Sequence, residues 1–192
     1  MTVYGWLIFT LWVTLVAYWT VSAGAARRTG GCSWIWWREI AVRLGFFAVV
    51  VLLLRLAVLG HASPDAPLYA RNPGRLLGLV GLVVCGLGVG LAILARACLG
   101  PNWGTQVWNE EHRELVTSGP YALVRHPIYG GMLLAMLGSA IGQSLLWLLP
   151  LTVYAPHFIR SARLEERLLS EQFPERYRAY MKRTWMLLPF VL

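Results

Sequence analysis

The segment Ser118–Gly131, SGPYALVRHPIYGG, gathers an arginine, a histidine, two tyrosines, two prolines and three glycines into fourteen positions between runs of leucine, valine and alanine. Proline at a first helical turn fixes the backbone and leaves the residue before it extended. Pro127 therefore aims His126 back toward the polar segment instead of into the apolar helix that follows. Some forty residues on, RSARLEERLL places Glu165 and Glu166 beside Arg160 and Arg163. If both segments lie on one side of a membrane, His126, Arg125, Tyr121 and Tyr129 come within reach of those carboxylates and guanidiniums. Each piece also has a plainer reading taken alone: Arg125 and His126 as headgroup anchors of a helix end, and the two glutamates as a solvated helix face.

Those residues have to be positioned by apolar elements. Of 192 residues, 57% are hydrophobic and 14% charged, and several runs are long enough to cross a hydrocarbon core, which takes ~20 helical residues. The expected fold is an all-α integral membrane protein with about five transmembrane helices and a cytoplasmic C-terminal cofactor-binding region. Residues 1–95 form a three-span membrane region, with spans at Val3–Ala23, Ile40–Leu59 and Leu76–Ala95. Residues 96–192 form the functional core. The first run is too long for a signal h-region and lacks a basic segment before it, so it is expected to stay as a span.

In the third span Gly78, Gly81, Gly86, Gly88 and Gly90 leave one side nearly bare, and Gly86-x-x-x-Gly90 predicts close helix packing. The apolar stretch Pro127–Ile159 would be ~50 Å long as one helix, so two short spans turning near Gly142-Gln143-Ser144 fit better. Beyond Arg160 the pattern is charged and helical, with Leu164, Leu168 and Leu169 on one face. Trp34, Trp36, Trp37, Trp103 and Trp108 suit interface depth.

Charge sets the orientation. The net charge of +8 reports topology and anionic headgroups before nucleic acid, and no nucleic-acid partner is expected. Basic residues flank the first loop, the segment 96–125 and the tail, leaving only Arg71 and Arg75 in the remaining loop. Five spans with the N-terminus outside put every strongly basic segment in the cytoplasm. Four would separate the tail from His126. The expected location is a bacterial inner (plasma) membrane. Cys32, Cys85 and Cys98 suggest neither a disulfide framework nor a zinc site, and no metal is expected. The sequence leaves the oligomeric state open.

LVTSGPYALVRHPIYGG, the downstream EERLLSEQFPERYRAYMKRTWMLLP and LGPNWG at Leu99–Gly104 together resemble the isoprenylcysteine carboxyl methyltransferase family and related phospholipid-methyltransferase-like membrane enzymes. The resemblance covers roughly the C-terminal half. It implies a region that wraps S-adenosylmethionine near the cytoplasmic face. Carried over residue by residue, Leu115, Val116, Gly119, Tyr121, His126, Pro127 and Tyr129 form one wall of the cofactor pocket, and Glu165 and Glu166 close it. A carboxylate acceptor is matched by an arginine near the glutamate pair, Arg163 or Arg160, with Arg96 a further candidate. For an amine or thiol acceptor, Glu165 takes the proton. The acceptor is expected to be a lipid or lipid-tailed molecule.

Two rival readings stand beside this one. The sterol-reductase group carries a similar R-H-P-x-Y-like segment and uses NADPH, but Glu165-Glu166 before LLSEQF favours the methyltransferase. A non-catalytic membrane scaffold that keeps the pocket sequence is the other. Bound cofactor without turnover would mark it.

Overall fold

The structure is a computed structural model and describes residues 2–26, 73–100 and 115–189, together with 45, 48 and 52. Helix α1 covers Val3–Ala26, α2 Gly74–Leu99, α3 Pro127–Gly142, α4 Leu148–Gln172 and α5 Pro174–Met181. Short 3₁₀ turns at Gly119–Ala122 and Leu145–Trp147 precede α3 and α4. The expected second span apart from residues 45, 48 and 52, the first and third loops, and Trp103 and Trp108 lie outside the described residues; of the second loop, Arg75 lies within α2 and Arg71 is outside the described residues. Among the described residues, Val3–Ser22 and Gly74–Leu99 are long and apolar enough to cross a membrane, and Pro127–Gly142 is a shorter apolar helix.

Helix α1 presents Ile8, Trp12 and Leu15, one turn apart, to the interior and leaves Leu7, Val13 and Val21 exposed. It runs parallel to α2: Tyr4 lies against Gly78 near one end, and Ser22 meets Arg96 near the other. Helix α3 runs antiparallel to α2. A Cβ on Gly131 would sit 2.6 Å from the Gly88 carbonyl oxygen, and one on Gly138 would sit 2.7 Å from that of Gly81. Bare surfaces let the two backbones touch, so small residues fix the spacing where apolar side chains gain little from leaving lipid.

The packing glycines differ from those expected. Gly78, Gly81 and Gly88 share the buried face with Cys85, Ala92 and Ala95, whereas among the described residues a Cβ on Gly90 would meet nothing within 4 Å and one on Gly86 only the end of Leu11. At 100° per residue, positions 86 and 90 point away from the row 81, 85, 88 and 92. The Gly86-x-x-x-Gly90 motif is therefore off the α2–α3 contact.

The turn between the two C-terminal apolar stretches falls at Gln143–Ser144, as expected. The Ser144 side chain accepts from the Leu146 amide and caps the 3₁₀ turn. A buried polar thread crosses the helices here: the Trp12 indole donates to Ser139 Oγ at 3.0 Å and stacks on Trp147, whose own indole donates to Gln143 Oε1 at 2.8 Å. Pro150 sits in the first turn of α4, where its missing N–H is not needed. The helix then continues through Pro156 and Arg160, so the last apolar run and the start of the charged tail are one rod. Leu164 and Leu168 on this rod are exposed.

Candidate functional site

Functional side chains meet where α1 and α2 end, α3 begins and α4 extends past its apolar half. Three local features aim them. Pro127 opens α3 behind a non-helical His126 (φ −126°, ψ 61°). The residues before α3 then pair with the C-terminal segment through a parallel bridge, Val124 to Trp185. The Arg125 amide donates to Trp185 O at 2.8 Å, that of His126 to Met186 O at 3.0 Å, and that of Trp185 to Leu123 O at 3.2 Å. Finally, the Tyr180 hydroxyl donates to Tyr121 O at 2.6 Å. The C-terminal strap thus holds the backbone on both sides of Val124. Gly130 completes the fit, because any Cβ there would collide with the Leu187 carbonyl.

On this frame the charges form a compact cluster. Arg125 Nε lies 2.5 Å from Glu166 Oε1, and Arg125 Nη1 donates to the carbonyls of Thr184 and Met181. His126 lies between the two glutamates, Nδ1 3.4 Å from Glu165 Oε2 and Nε2 3.5 Å from Glu166 Oε1. The Tyr129 hydroxyl donates to Glu165 Oε1 at 2.5 Å. The Tyr129 ring stacks between His126 (5.8 Å) and Phe158 (4.9 Å). On α4 the inward residues Phe158 and Ala162 and the glutamate pair recur every turn, so one stripe passes from apolar packing to carboxylate.

Burial alone would strip the proton from His126, but hydrogen bonding and the charges of Glu165 and Glu166 outweigh it and raise the imidazole pKa above its ordinary value. For Glu166, burial pushes the carboxyl up, while His126 and Arg125 prevail and hold it below the usual carboxylate value. The result is a partly buried cluster in which the carboxylates favour the protonated imidazole and the basic groups favour the ionised Glu166. Burial keeps Tyr121 and Tyr177 protonated well above their ordinary pKa and pushes Tyr180 up to about 12. These phenols are neutral donors at physiological pH.

Of the residues expected from sequence, His126, Tyr129, Glu165 and Glu166 come together directly, and Pro127 starts the helix that carries two of them. Tyr121 is buried in a neighbouring apolar cluster with Ala95, Leu99 and Ile128, against which Val116 packs. Leu115 is half-buried. Gly119 has φ +60°, and a Cβ on it would meet Cys98 Sγ at 2.9 Å, so both conformation and space favour glycine there.

Arg160 and Arg163 are exposed and make no ion pair among the described residues. Arg163 shares a shallow groove with Glu166, Arg167, Ser170, Glu171 and Met181, and Arg160 lines the adjoining one. Arg96 is buried, and its guanidinium donates to Gly100 O at 2.9 Å and Ser22 O at 3.2 Å, tying the ends of α1 and α2. Arg125, expected within reach of the glutamates, is the direct partner of Glu166. Sequence reasoning missed that residues 184–187 complete the frame, since they do so through backbone amides and carbonyls. Among the described residues no group of three or more His, Cys, Asp or Glu is arranged to hold a metal ion.

Comparison with known proteins identifies the frame. The family model described as phospholipid methyltransferase matches residues 76–176, more than half of the chain. The cobalt-zinc-cadmium resistance protein CzcN of Cupriavidus metallidurans is 34% identical over 146 residues, covering 74% of this chain and 61% of that protein. The nickel-cobalt-cadmium resistance protein NccN of Alcaligenes xylosoxydans xylosoxydans is 31% identical over 149 residues, covering 74% and 62%. The matched part thus spans about three fifths of the length of each. A protein of Oryza sativa described as a probable protein-S-isoprenylcysteine O-methyltransferase is 27% identical over 149 residues, covering 73% of this chain and 76% of that one. The matched region contains α2, α3 and all four charged members of the cluster, and on this ground the chain belongs to the phospholipid methyltransferase family, in its isoprenylcysteine-methyltransferase-like branch.

Proposed function

We propose that the chain is a membrane methyltransferase that uses S-adenosylmethionine to methylate a lipophilic acceptor at headgroup level on the cytoplasmic face of an inner membrane. The observation that carries this reading is the Glu165–Glu166 pair closing over His126 and Tyr129 at the end of apolar helices. The donor set fits that cofactor. Its ammonium and ribose hydroxyls suit carboxylates, its carboxylate suits imidazolium or N–H donors, and its adenine suits aromatic and apolar walls such as the cluster around Tyr121. His126 Nε2 is buried and has no hydrogen-bond partner among the described residues. The cluster therefore has an unused donor or acceptor to offer a polar ligand.

When bound, the cofactor supplies a methyl group on a sulfonium, activated for in-line displacement. What the protein contributes is positioning in a water-poor site. Glu165 and Glu166 hold the ammonium, His126 and Tyr129 keep the carboxylates oriented, and Arg125 anchors Glu166 to the C-terminal strap. Leu115, Val116, Gly119, Tyr121 and Pro127 shape the wall. Arg163, on the edge of the Glu166 groove, orients an acceptor carboxylate, and Arg160 extends that basic edge. For an acceptor amine or thiol, Glu165 takes the proton. Incubating the purified protein with methyl-labelled S-adenosylmethionine and total membrane lipid extract tests the proposal. Label is expected in an extractable lipid. Protection against thermal unfolding by NADPH with none from S-adenosylmethionine would favour a reductase instead.

A further inference from the structure

The pattern Phe173-x-x-x-Tyr177-x-x-Tyr180 places two tyrosines on the buried face of α5, and the fold uses them differently. Tyr180 spends its hydroxyl on the Tyr121 carbonyl. Tyr177 is 1% exposed, and its hydroxyl has no hydrogen-bond partner among the described residues. An enclosed hydroxyl without a partner destabilises a fold, and phenylalanine would fill the same space without that penalty. The surroundings of Tyr177 lie against the site. Its ring is edge-on to Tyr180 at 5.8 Å, and one helical turn on, the Met181 carbonyl accepts from Arg125. A second buried atom without a hydrogen-bond partner among the described residues, His126 Nε2, stands 3.5 Å from Glu166 Oε1. Two buried polar atoms without hydrogen-bond partners thus sit on elements that touch the two ends of the Arg125–Glu166 pair.

We propose that Tyr177 is a ligand-binding residue, its hydroxyl donating to the α-carboxylate of an amino-acid-bearing ligand whose α-ammonium is held by Glu165 and Glu166. Both groups of such a ligand hang from one carbon, so fixing the ammonium on the carboxylates keeps the α-carboxylate beside the cluster, where the Tyr177 hydroxyl offers a donor without a partner among the described residues. The choice of ligand rests on the methyl-donor reading above. The unpartnered hydroxyl does not.

Calorimetric titration of the full chain in detergent micelles tests this with two probes, S-adenosylhomocysteine and 5′-methylthioadenosine, which keeps the nucleoside and thioether but lacks the amino-acid end. Tyr177→Phe is expected to weaken S-adenosylhomocysteine binding about tenfold, to leave 5′-methylthioadenosine binding unchanged, and to melt, without ligand, at or above the wild-type temperature. Unchanged S-adenosylhomocysteine affinity, equal weakening of both probes, or a lower ligand-free melting temperature would overturn the assignment of Tyr177. Wild-type protein that binds neither probe would overturn the methyl-donor reading and the ligand assigned to Tyr177 with it.

Discussion

The α2–α3 contact and the cluster around His126 sit at neighbouring points of α3 and are built on opposite principles. Along the α2–α3 contact the chain removes side chains: Gly81 and Gly88 of α2 and Gly131 and Gly138 of α3 let backbone touch backbone. Where α3 begins it adds charge: Arg125 pairs with Glu166, and His126 lies within ion-pair distance of both Glu165 and Glu166 of α4. The first arrangement tolerates no added atom and is indifferent to pH. The second depends on the protonation of His126 and Glu166. A shared rod, α3, ties them together, so the glycine contact sets where the charged cluster stands.

The largest expected effect comes from the tight side. Gly138→Leu forces a side chain into the backbone of Cys85 and Gly81, and overpacking of that kind costs on the order of 3 kcal/mol or more where only backbone can yield. Loss of monodisperse protein in detergent, or a melting temperature lowered by many degrees, is the expected result. Gly90→Ala, meeting nothing within 4 Å among the described residues, is expected to be neutral or slightly stabilising by helix propensity. Equal damage from both would dissolve the distinction between the two faces.

The next effect in size belongs to the charged side. Glu166→Gln removes the partner of Arg125 and one carboxylate of the proposed ammonium site, a charge-assisted interaction worth about 1.5–3 kcal/mol. We expect methyl-donor affinity to fall by one to two orders of magnitude while Arg125 stays anchored to the carbonyls of Thr184 and Met181. Tyr180→Phe should cost less, about 1 kcal/mol for one buried hydrogen bond, and read out as a modest drop in melting temperature.

The smallest effect is a pH dependence. Because Glu165 and Glu166 raise the His126 pKa in the folded state, its protonation contributes stability that is fully present below the unfolded histidine value, about 6.5. That contribution fades as pH rises through the higher folded value. Melting temperature should therefore decline as pH rises above the unfolded histidine value of about 6.5, and His126→Asn should flatten that decline. A profile unchanged by the substitution would show that the cluster does not hold His126 as a cation.

The two regions were not equally legible in the sequence. The turn at Gln143–Ser144 could be placed because a 33-residue helix is too long for the membrane and Gly142-Gln143-Ser144 breaks its pattern. The meeting of His126 with Glu165 and Glu166 followed from requiring both segments on one face. By contrast, reading a four-residue glycine spacing in isolation chose Gly86 and Gly90. Following the helical repeat through Gly81, Cys85, Gly88 and Ala92 finds the real contact, because small residues other than glycine belong to it. Arg160 and Arg163 were expected beside the glutamates, and they are on the same helix, yet its turn leaves them exposed while Arg125 makes the pair. The strap of residues 184–187 was illegible for a physical reason. Its hold on residues 123–126 runs through backbone amides and carbonyls, which every residue carries, so no side-chain pattern marks it.

The central claim is that the charged end of α3, and not merely the family to which it belongs, is built to bind a methyl donor. Equilibrium binding of S-adenosylmethionine to three purified forms tests it most directly: wild type, Glu166→Gln and Gly90→Ala. We expect wild type and Gly90→Ala to bind alike and Glu166→Gln to bind at least tenfold more weakly, with all three folded. Equal affinity in all three, or none in the folded wild-type protein, would contradict the account.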